Sequence, residues 1–405
     1  MLITNIKELF GIHPDSRFLK GEKMSMLPSI QNAFVRIEGE KIVDFGKMED
    51  LNDNHTDEFI IDAEDRLVLP AWCDSHTHLV YAGSRENEFV DKIKGVSYEE
   101  IAQKGGGILN SAKRLAETDE DELYRQAWQR LEEIKALGTG AVEIKSGYGL
   151  TVESELKMLR VIQKLKQNSD LLIKSTLLIH TYPLEYRENH EAYLAIILNE
   201  LLPKVAAEKL ADYIDVFCEV GFFSPQETNR ILQEAAKYGL RAKVHANQFN
   251  SGGVEVAVRN DAVSADHLET MTDEDIELLK NSDTIPTLLP SAAFFLRMAY
   301  QPARKMIDAG LGVALASDFN PGSSPSGNIP FLVALSCIQL KMTPEEAINA
   351  ATLNGACAME LQNQVGSIAR GKLANLIITK PIPSLAYLPY SFGSNLIERV
   401  ILKGK

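Results

Sequence analysis

Short β-prone runs separated by turn residues occupy both ends of the chain. The runs 32–38 and 41–45 flank Gly39-Glu40, an arrangement typical of a β-hairpin. The same kind of run returns in the last part of the chain. We expect the two terminal regions, 1–65 and 363–405, to assemble one small β domain.

Between these regions, over 66–362, short apolar runs alternate with amphipathic helical stretches. Candidate strands cover 66–71, 140–144, 173–179, 213–218, 242–244, 262–265, 284–289 and 313–316. Repeated strand–helix units predict a parallel sheet of the α/β class, and eight strands favour a closed (β/α)₈ TIM-like barrel. A dinucleotide-binding sheet would carry Gly-x-Gly-x-x-Gly after its first strand, where this chain has Asp-Ser-His-Thr-His.

Composition narrows the possible partners and compartment. The 405 residues are 45% hydrophobic with a net charge of −14, which argues against nucleic acid or an anionic membrane as a partner. No apolar stretch approaches the roughly 18 residues of a membrane span, and the N-terminus lacks the pattern of an export signal. Four cysteines stand far apart without a Cys-x-x-Cys pair, as in a cytoplasmic protein with reduced thiols.

Five of the eight histidines fall at predicted strand ends. They are His76 and His78 after the first strand, His180 after the third, His245 after the fifth and His267 after the sixth. Asp318 follows the eighth strand. A barrel places its catalytic groups at the C-terminal ends of its strands, so we expect these side chains to meet.

His76 and His78 are two residues apart, so in an extended segment both imidazoles point to the same side. A further histidine and the Asp318 carboxylate would complete a metal site with room for water, the pattern of a catalytic site. A single His-x-His is more often incidental, and a single Asp after an apolar run is more often a turn residue. Their joint occurrence at successive strand ends favours a metal-dependent hydrolase.

Several loops have two possible explanations. The segments 105–107 and 146–149 are rich in glycine but lack the Lys-Ser/Thr of a nucleotide loop, so simple loop flexibility competes with phosphate binding. The segment 320–325 directly follows Asp318, which favours substrate contact over a plain turn. Arg85 could pair with a substrate carboxylate or form a surface salt bridge.

The histidines and Asp318, in this order along the chain, resemble the amidohydrolase superfamily. Finer motifs narrow the resemblance to its imidazolonepropionase family; they lie at 76–89, 145–150, 215–219, 265–269, 288–290 and 317–323. Ser75, Ser291 and Asn375 depart from the residues usual in that family. Lys145 lies on a different strand from the carboxylated lysine of dinuclear relatives, and we interpret it as structural or hydrogen-bonded to a loop.

The resemblance implies hydrolysis of the cyclic amide of 4-imidazolone-5-propanoate to N-formimidoyl-L-glutamate, a step in the degradation of histidine to glutamate. It implies one Zn²⁺ or Fe³⁺ per chain, held by His76, His78, His245 and Asp318. The implied substrate contacts are Arg85, Tyr148, His180, Gln248, Asn320, Gly322 and Ser323. It also implies a small carboxylate-bearing substrate and suggests a homodimer.

In the expected mechanism Asp318 transfers a proton from water to the departing ring nitrogen, and His267 donates to the carbonyl oxygen. His180 contacts or polarises the ring, and Arg85 binds the propionate. One alternative is another mononuclear amidohydrolase, such as an aromatic-base deaminase, in which we expect a Glu where Gln248 stands. Another is a binding or scaffold protein that keeps the barrel without catalysis, although every expected ligand is present.

Overall fold

The structure is a computed structural model that describes residues 1–51, 59–95 and 107–405. His55 and the first two residues of the glycine-rich segment 105–107 lie outside the described residues. The strands are β1 Leu2–Phe10, β2 Ser29–Glu38, β3 Lys41–Lys47, β4 Ile60–Asp62, β5 Leu67–Pro70, β6 Trp72–Thr77, β7 Thr139–Lys145, β8 Leu172–Ile179, β9 Tyr213–Cys218, β10 Arg241–Ala246, β11 Ser264–His267, β12 Ile285–Leu288, β13 Ala314–Leu315, β14 Leu376–Thr379 and β15 Ile397–Ile401.

Helices follow most of the strands, as the alternating pattern predicts. The α-helices span Glu86–Ile93, Ile108–Glu117, Glu120–Ala136, Val152–Asn168, His190–Ile196, Leu202–Glu208, Pro225–Ala236, Gly253–Arg259, Asp273–Lys280, Pro290–Leu296, Ala303–Asp308, Ile329–Gln339, Pro344–Ala351, Leu353–Cys357 and Tyr387–Tyr390. A π-helical turn, Ile197–Leu201, joins two of them. Among the helices of the described part of the chain, none is long and apolar enough to cross a membrane.

The helix Glu120–Ala136 illustrates how local sequence forms these elements. The side chain of Asp119 caps its first turn by accepting a hydrogen bond from the backbone N–H of Glu122. Its buried residues recur every three to four positions, so one face packs inward; they are Leu123, Ala127, Leu131 and Ile134. Charged residues cover the opposite, solvent-facing side.

Eight parallel strands, β6 to β13, pair in chain order and form the barrel. The ring closes between its first and last strands through a parallel bridge from Thr77 to Phe319. On either side of this bridge, the Asp318 N–H donates to the His76 carbonyl (2.9 Å) and the His78 N–H donates to the Phe319 carbonyl (2.9 Å). The predicted (β/α)₈ barrel is confirmed, and its seam joins the segments that carry the predicted ligands.

The remaining strands form a second sheet in the order β15-β14-β5-β1-β2-β3, with β4 beside β1. It combines strands from both ends of the chain, as predicted. The strand expected over 66–71 belongs to this sheet: Leu67–Pro70 pairs with β1 and β14, and the first barrel strand is Trp72–Thr77. Both sheets bury apolar strands, so the apolar pattern of this run does not show which of the two sheets it joins. The division into 1–65 with 363–405 and 66–362 stays a prediction.

Asn375 connects this composite sheet to the barrel. Its side-chain amide donates to the Gly140 carbonyl (3.2 Å), and its side-chain oxygen accepts from the Lys403 N–H (2.9 Å). An ionised Asp in place of Asn375 would have no N–H to donate to Gly140. All four cysteines are free, as expected for reduced thiols.

Candidate active site

The predicted metal ligands meet at the C-terminal mouth of the barrel. The Nε2 atoms of His76 and His78 lie 3.6 Å and 3.3 Å from Asp318 Oδ1. The ring centroids of His76 and His245 are 4.5 Å apart. In two groups that share His76, one with His78 and Asp318 and the other with His245 and His267, the candidate ligand atoms lie within 4.8 Å of one another.

This centre fits a metal ion. The Nε2 atom of His76 is buried and has no hydrogen-bond partner among the described residues. A buried, unpaired imidazole nitrogen is costly unless it meets a ligand. Imidazole nitrogens with one carboxylate suit zinc or iron, so the donor set fits these metals.

His267 faces the same centre. Its ring centroid lies 5.6 Å from that of His76 and 5.2 Å from that of His245. Burial alone would lower the pKa of His267, but the Glu269 carboxylate, 3.5 Å from its Nδ1, together with Asp318 and Asp266 outweighs burial and raises the pKa. The distances alone leave His267 able either to bind a metal or to donate a proton.

Two buried aspartates orient two of the predicted ligands. Nδ1 of His76 lies 2.6 Å from Asp266 Oδ2, and Nδ1 of His245 lies 2.9 Å from Asp215 Oδ2. The other oxygen of Asp215 accepts from the backbone N–H of His245 (3.0 Å). Because a carboxylate at Nδ1 fixes the ring and its tautomer, both Nε2 atoms are directed toward the centre. Burial lowers the pKa of His245 to about 4, so this imidazole is neutral and able to bind a metal at neutral pH.

Beneath the histidines lies a fully buried ion cluster, which consists of Glu143, Lys145, Asp215, Lys243 and Asp266. Lys145 Nζ donates to Glu143 (2.6 Å) and Asp215 (2.8 Å) and lies 3.5 Å from Asp266, while Lys243 pairs with Glu143. Burial alone would lower the pKa of Lys145, but the surrounding carboxylates outweigh it and raise the pKa. The structural interpretation of Lys145 agrees with these contacts, although its partners are strand carboxylates and not a loop.

Asp318, in the segment that follows β13, has a different environment at each carboxylate oxygen. Oδ1 faces the histidines, and Oδ2 accepts from the Ser323 hydroxyl (3.1 Å). Asn320 shapes the loop, because its side-chain oxygen accepts the N–H groups of Gly322 and Ser323, both at 2.8 Å. Burial alone would raise the pKa of Asp318, but the hydrogen bond with His78 and the neighbouring imidazoles outweigh it and lower the pKa.

A cavity of about 530 Å³ opens above this centre. Every residue predicted to contact substrate lines it; these are Arg85, Tyr148, His180, Gln248, Asn320, Gly322 and Ser323. Sequence reasoning did not find its apolar wall, which consists of Ile108, Phe217, Phe222, Phe249, Leu296 and Met298. The cavity therefore combines polar groups of the strand ends with an apolar surface that a ring can contact.

Arg85 enters the cavity in a fixed orientation. Its Nε and Nη2 donate to one oxygen of Glu88 at 2.8 Å and 2.6 Å, and the other Glu88 oxygen accepts from the Gly107 N–H (3.0 Å). A Cβ at Gly322 would lie 2.5 Å from Arg85 Nη1, so this glycine leaves the space that the guanidinium needs. Arg85 thus forms a partly buried salt bridge and also lines the cavity.

The loop that carries Tyr148 is wrapped around a buried carboxylate. Glu155 accepts from the N–H groups of Gly147 (2.9 Å), Gly149 (2.7 Å) and Leu150 (2.9 Å). A Cβ at Gly149 would approach the backbone nitrogen of Glu155 to 2.4 Å, so glycine is required there. Because these N–H groups already donate to Glu155, they are not free to cradle a phosphate.

His180, at the end of β8, faces the centre from across the cavity. Its ring centroid lies 5.8 Å from that of Tyr148 and 6.4 Å from that of His78. Burial holds the pKa of His180 well below its usual value, and its Nδ1 has no hydrogen-bond partner in the described part of the chain. The other described histidines lie elsewhere: His13 pairs with Asn349 and His190 with Glu227.

Solved structures of other hydrolases share this fold. A triazine hydrolase variant aligns with a TM-score of 0.74 at 16% identity, covering 100% of this chain and 93% of that chain. A zinc-bound adenosine deaminase from Xanthomonas campestris aligns with a TM-score of 0.70 at 16% identity, covering 100% of this chain and 92% of that chain. At these identities the likeness concerns the fold alone.

Sequence comparisons identify the family. The model of the amidohydrolase family matches residues 67–405. Imidazolonepropionases from Christiangramia forsetii and Flavobacterium johnsoniae are 57% and 58% identical to this chain, and each alignment covers 100% of this chain and 99% of the relative. The chain therefore belongs to the amidohydrolase family and, within it, to the imidazolonepropionase family.

Proposed function

We propose that this protein hydrolyses the cyclic amide of 4-imidazolone-5-propanoate to N-formimidoyl-L-glutamate, in the degradation of histidine to glutamate. One observation carries the proposal: a single cavity has a metal-fitting centre at its base and the Arg85 guanidinium on its wall. A ring amide and a carboxylate on the same small molecule match these two features. The names of the full-length relatives support this choice of substrate.

The proposed ligands of one Zn²⁺ or Fe³⁺ are His76, His78, His245 and Asp318. Such a cation, when bound, lowers the pKa of water toward neutrality and polarises a carbonyl. The protein contributes the alignment of the imidazoles, through Asp266 and Asp215, and a buried site with little competing solvent. These contacts support the assignment of His76 and His245 as ligands.

Asp318 is the proposed proton carrier. Its Oδ1 faces the nitrogen atoms of His76 and His78, while Ser323 holds Oδ2. In the reaction the carbon–nitrogen bond of the ring amide breaks, hydroxide adds to the carbonyl carbon, and a proton goes to the departing nitrogen. The Asp318 carboxylate takes the proton from water and delivers it to that nitrogen.

His267 and His180 are the proposed polar contacts on the other sides of the ring. Glu269 lies beside Nδ1 of His267, which favours a protonated imidazole that donates to the developing oxyanion. His180, with its ring against Tyr148, contacts the imidazolone ring. Both histidines face the cavity close to the proposed ligands.

The remaining contacts select the substrate. Arg85 binds the propionate, and its pairing with Glu88 holds the guanidinium in one orientation. Tyr148 and Gln248 line the cavity beside it, and the loop Asn320–Ser323 borders it on the side of Asp318. A neutral Gln248 amide does not act as a proton carrier, which disfavours the deaminase alternative.

The decisive experiment follows the ultraviolet absorbance of imidazolonepropanoate after the addition of protein with a measured metal content. We expect loss of absorbance, about one metal per chain, and no reaction after chelation. Asp318→Asn should reduce kcat by at least about a thousandfold. Release of ammonia from an aromatic base without consumption of imidazolonepropanoate would instead identify a deaminase, and full activity of metal-free protein would exclude the proposed centre.

The propionate contact is tested by Arg85→Met, which should raise KM by about a hundredfold. Arg125→Met is the matched control, since Arg125 also pairs with a glutamate three residues away but lies exposed on a helix. It should leave KM unchanged. Equal KM values for the two variants would show that Arg85 does not bind the substrate.

We also propose that the protein acts on a small carboxylate-bearing molecule as a cytoplasmic homodimer that binds neither nucleic acid nor membrane. The acidic composition supports the absence of polyanionic partners. Light scattering at several protein concentrations tests the homodimer, and a monomer at micromolar concentration would contradict it.

A further inference from the structure

Glu219, directly after β9, has a carboxylate that the reaction does not use. Its residue is only 4% exposed. One oxygen accepts from the backbone N–H groups of Gln248 (2.7 Å) and Phe249 (3.0 Å). The other accepts from the backbone N–H (3.1 Å) and side-chain amide (3.2 Å) of Asn250. Both oxygens therefore serve one short segment, 248–250, on the neighbouring strand-end loop.

The position of Glu219 is itself fixed by its own turn. Its backbone N–H donates to the Phe223 carbonyl (3.1 Å), and its carbonyl accepts from the Phe222 N–H (3.0 Å). A buried carboxylate is costly unless donors satisfy it, and backbone donors held at fixed positions satisfy it with defined geometry. The carboxylate thus connects two strand-end loops rigidly.

The segment that Glu219 holds leads into the cavity. Gln248 lines the cavity three residues after the proposed ligand His245. On its other side Asn247 adopts a left-handed backbone conformation (φ +55°), and its side chain pairs with Asp275 (3.1 Å) and accepts from the Gly253 N–H (3.0 Å). The backbone is therefore fixed on both sides of Gln248, and Glu219 accepts from the backbone N–H of Gln248 itself.

We propose that Glu219 is a positioning residue that directs the Gln248 amide toward the substrate ring and so determines substrate binding. This inference rests on the proposed function, because the ring that Gln248 meets is that of the proposed substrate. Gln248 does not carry a proton, so its misplacement weakens recognition more than the chemical step. The effect of Glu219 should accordingly appear in KM and not in kcat.

The test variant is Glu219→Gln, which keeps the shape but replaces one accepting oxygen with an amide that donates. We expect KM to rise about tenfold while kcat stays within about threefold. Gln248→Ala should raise KM by a similar factor. The double variant should have a KM no higher than that of either single variant, because both changes remove the same contact between the Gln248 amide and the substrate. Hydrogen exchange should accelerate in peptides that contain 248–250 and not in those that contain Asp318.

The matched control is Glu346→Gln. Glu346 is equally buried (4%) and accepts from the Thr343 N–H (2.8 Å), but it lies at the start of the helix Pro344–Ala351 and does not line the cavity. It should lower the melting temperature and leave KM unchanged. A similar rise in KM for both glutamate variants would overturn the inference, because general destabilisation would then explain it.

Two further results would also overturn it: unchanged KM in Glu219→Gln, or fully additive effects of the Glu219 and Gln248 changes. Failure of the unmodified protein to consume imidazolonepropanoate would overturn the proposed function and the substrate contact with it. Hydrogen exchange of residues 248–250 in the Glu219→Gln variant would still decide whether Glu219 anchors the loop. The two failures are therefore distinguishable.

Discussion

The barrel interior and the composite sheet are both buried, but they are built from opposite kinds of residue. The barrel holds a fully buried ion cluster beneath its histidines, whereas the sheet is packed by apolar side chains such as Ile6, Val35, Val68 and Leu376. The burial of apolar side chains stabilises the fold without fixing the orientation of any one side chain. Hydrogen bonds between buried charged groups do fix the orientation of their side chains, but the removal of these groups from water costs free energy. The barrel interior thus uses buried charge to align the histidines, whereas the interior of the composite sheet is stabilised by apolar packing.

The largest effect that tests this contrast should come from Lys145→Met. Removal of the ammonium leaves the carboxylates of Glu143, Asp215 and Asp266 with fewer counter-charges inside the barrel. We expect the free energy of unfolding to fall by about 3–5 kcal/mol, together with weaker metal binding. Urea unfolding of the metal-free variant measures the first effect. Unchanged stability would mean that the cluster does not depend on Lys145.

In the sheet, Ile6→Ala should reduce the free energy of unfolding by about 2–4 kcal/mol, because Ile6 is fully buried in the apolar core. The kcat and KM of the folded fraction should stay unchanged. Ile6→Val, which removes only one methyl group, is the matched control and should cost about 1 kcal/mol. A change in KM for either variant would show that the sheet also shapes the site.

Asp266→Asn should affect metal binding more than folding. Asn cannot provide the negative charge that orients His76 through Nδ1, so we expect the metal affinity to fall by about 10- to 100-fold. Competition with a chelator measures the affinity. Ser264→Ala, a buried position on the same strand, should leave the affinity unchanged. Equal affinities in all three proteins would contradict the alignment role.

The smallest effect should follow Arg370→Ala, which removes an exposed ion pair with Asp44 at the surface of the composite sheet. We expect a loss of at most about 1 kcal/mol that becomes smaller at high salt. Thermal unfolding at two salt concentrations checks this expectation. A larger loss would show that exposed charge, in addition to apolar packing, stabilises the sheet.

The same contrast explains what could be predicted from the sequence. The barrel and the meeting of His76, His245 and Asp318 were predictable, because the strand–helix alternation and the positions of strand ends are local patterns. The strand 66–71 was assigned to the wrong sheet, since Leu67–Pro70 is equally apolar in either environment. Local pattern specifies an element more reliably than it specifies the neighbours of that element.

The carboxylates that support the site were not recognised from the sequence. Glu143 and Lys145 alternate with apolar residues in β7, a signal that charged groups point into the barrel. The two residues pair with each other within β7, but their remaining partners, Asp215, Lys243 and Asp266, come from other strands, and those pairings exist only once the barrel forms. Glu155 and Glu219 look like ordinary helix and loop acids, and their role depends on which backbone N–H groups the fold places around them.

The seam of the barrel has a consequence for biosynthesis. A ribosome releases the N-terminal part first, so the segment with His76 and His78 emerges long before Asp318, which closes the ring beside it. Of the other proposed ligands, His245 emerges between them and Asp318 emerges last. The composite sheet is completed later still, when β14 and β15 leave the exit tunnel, so the centre and the sheet both form only after every barrel strand has been synthesised.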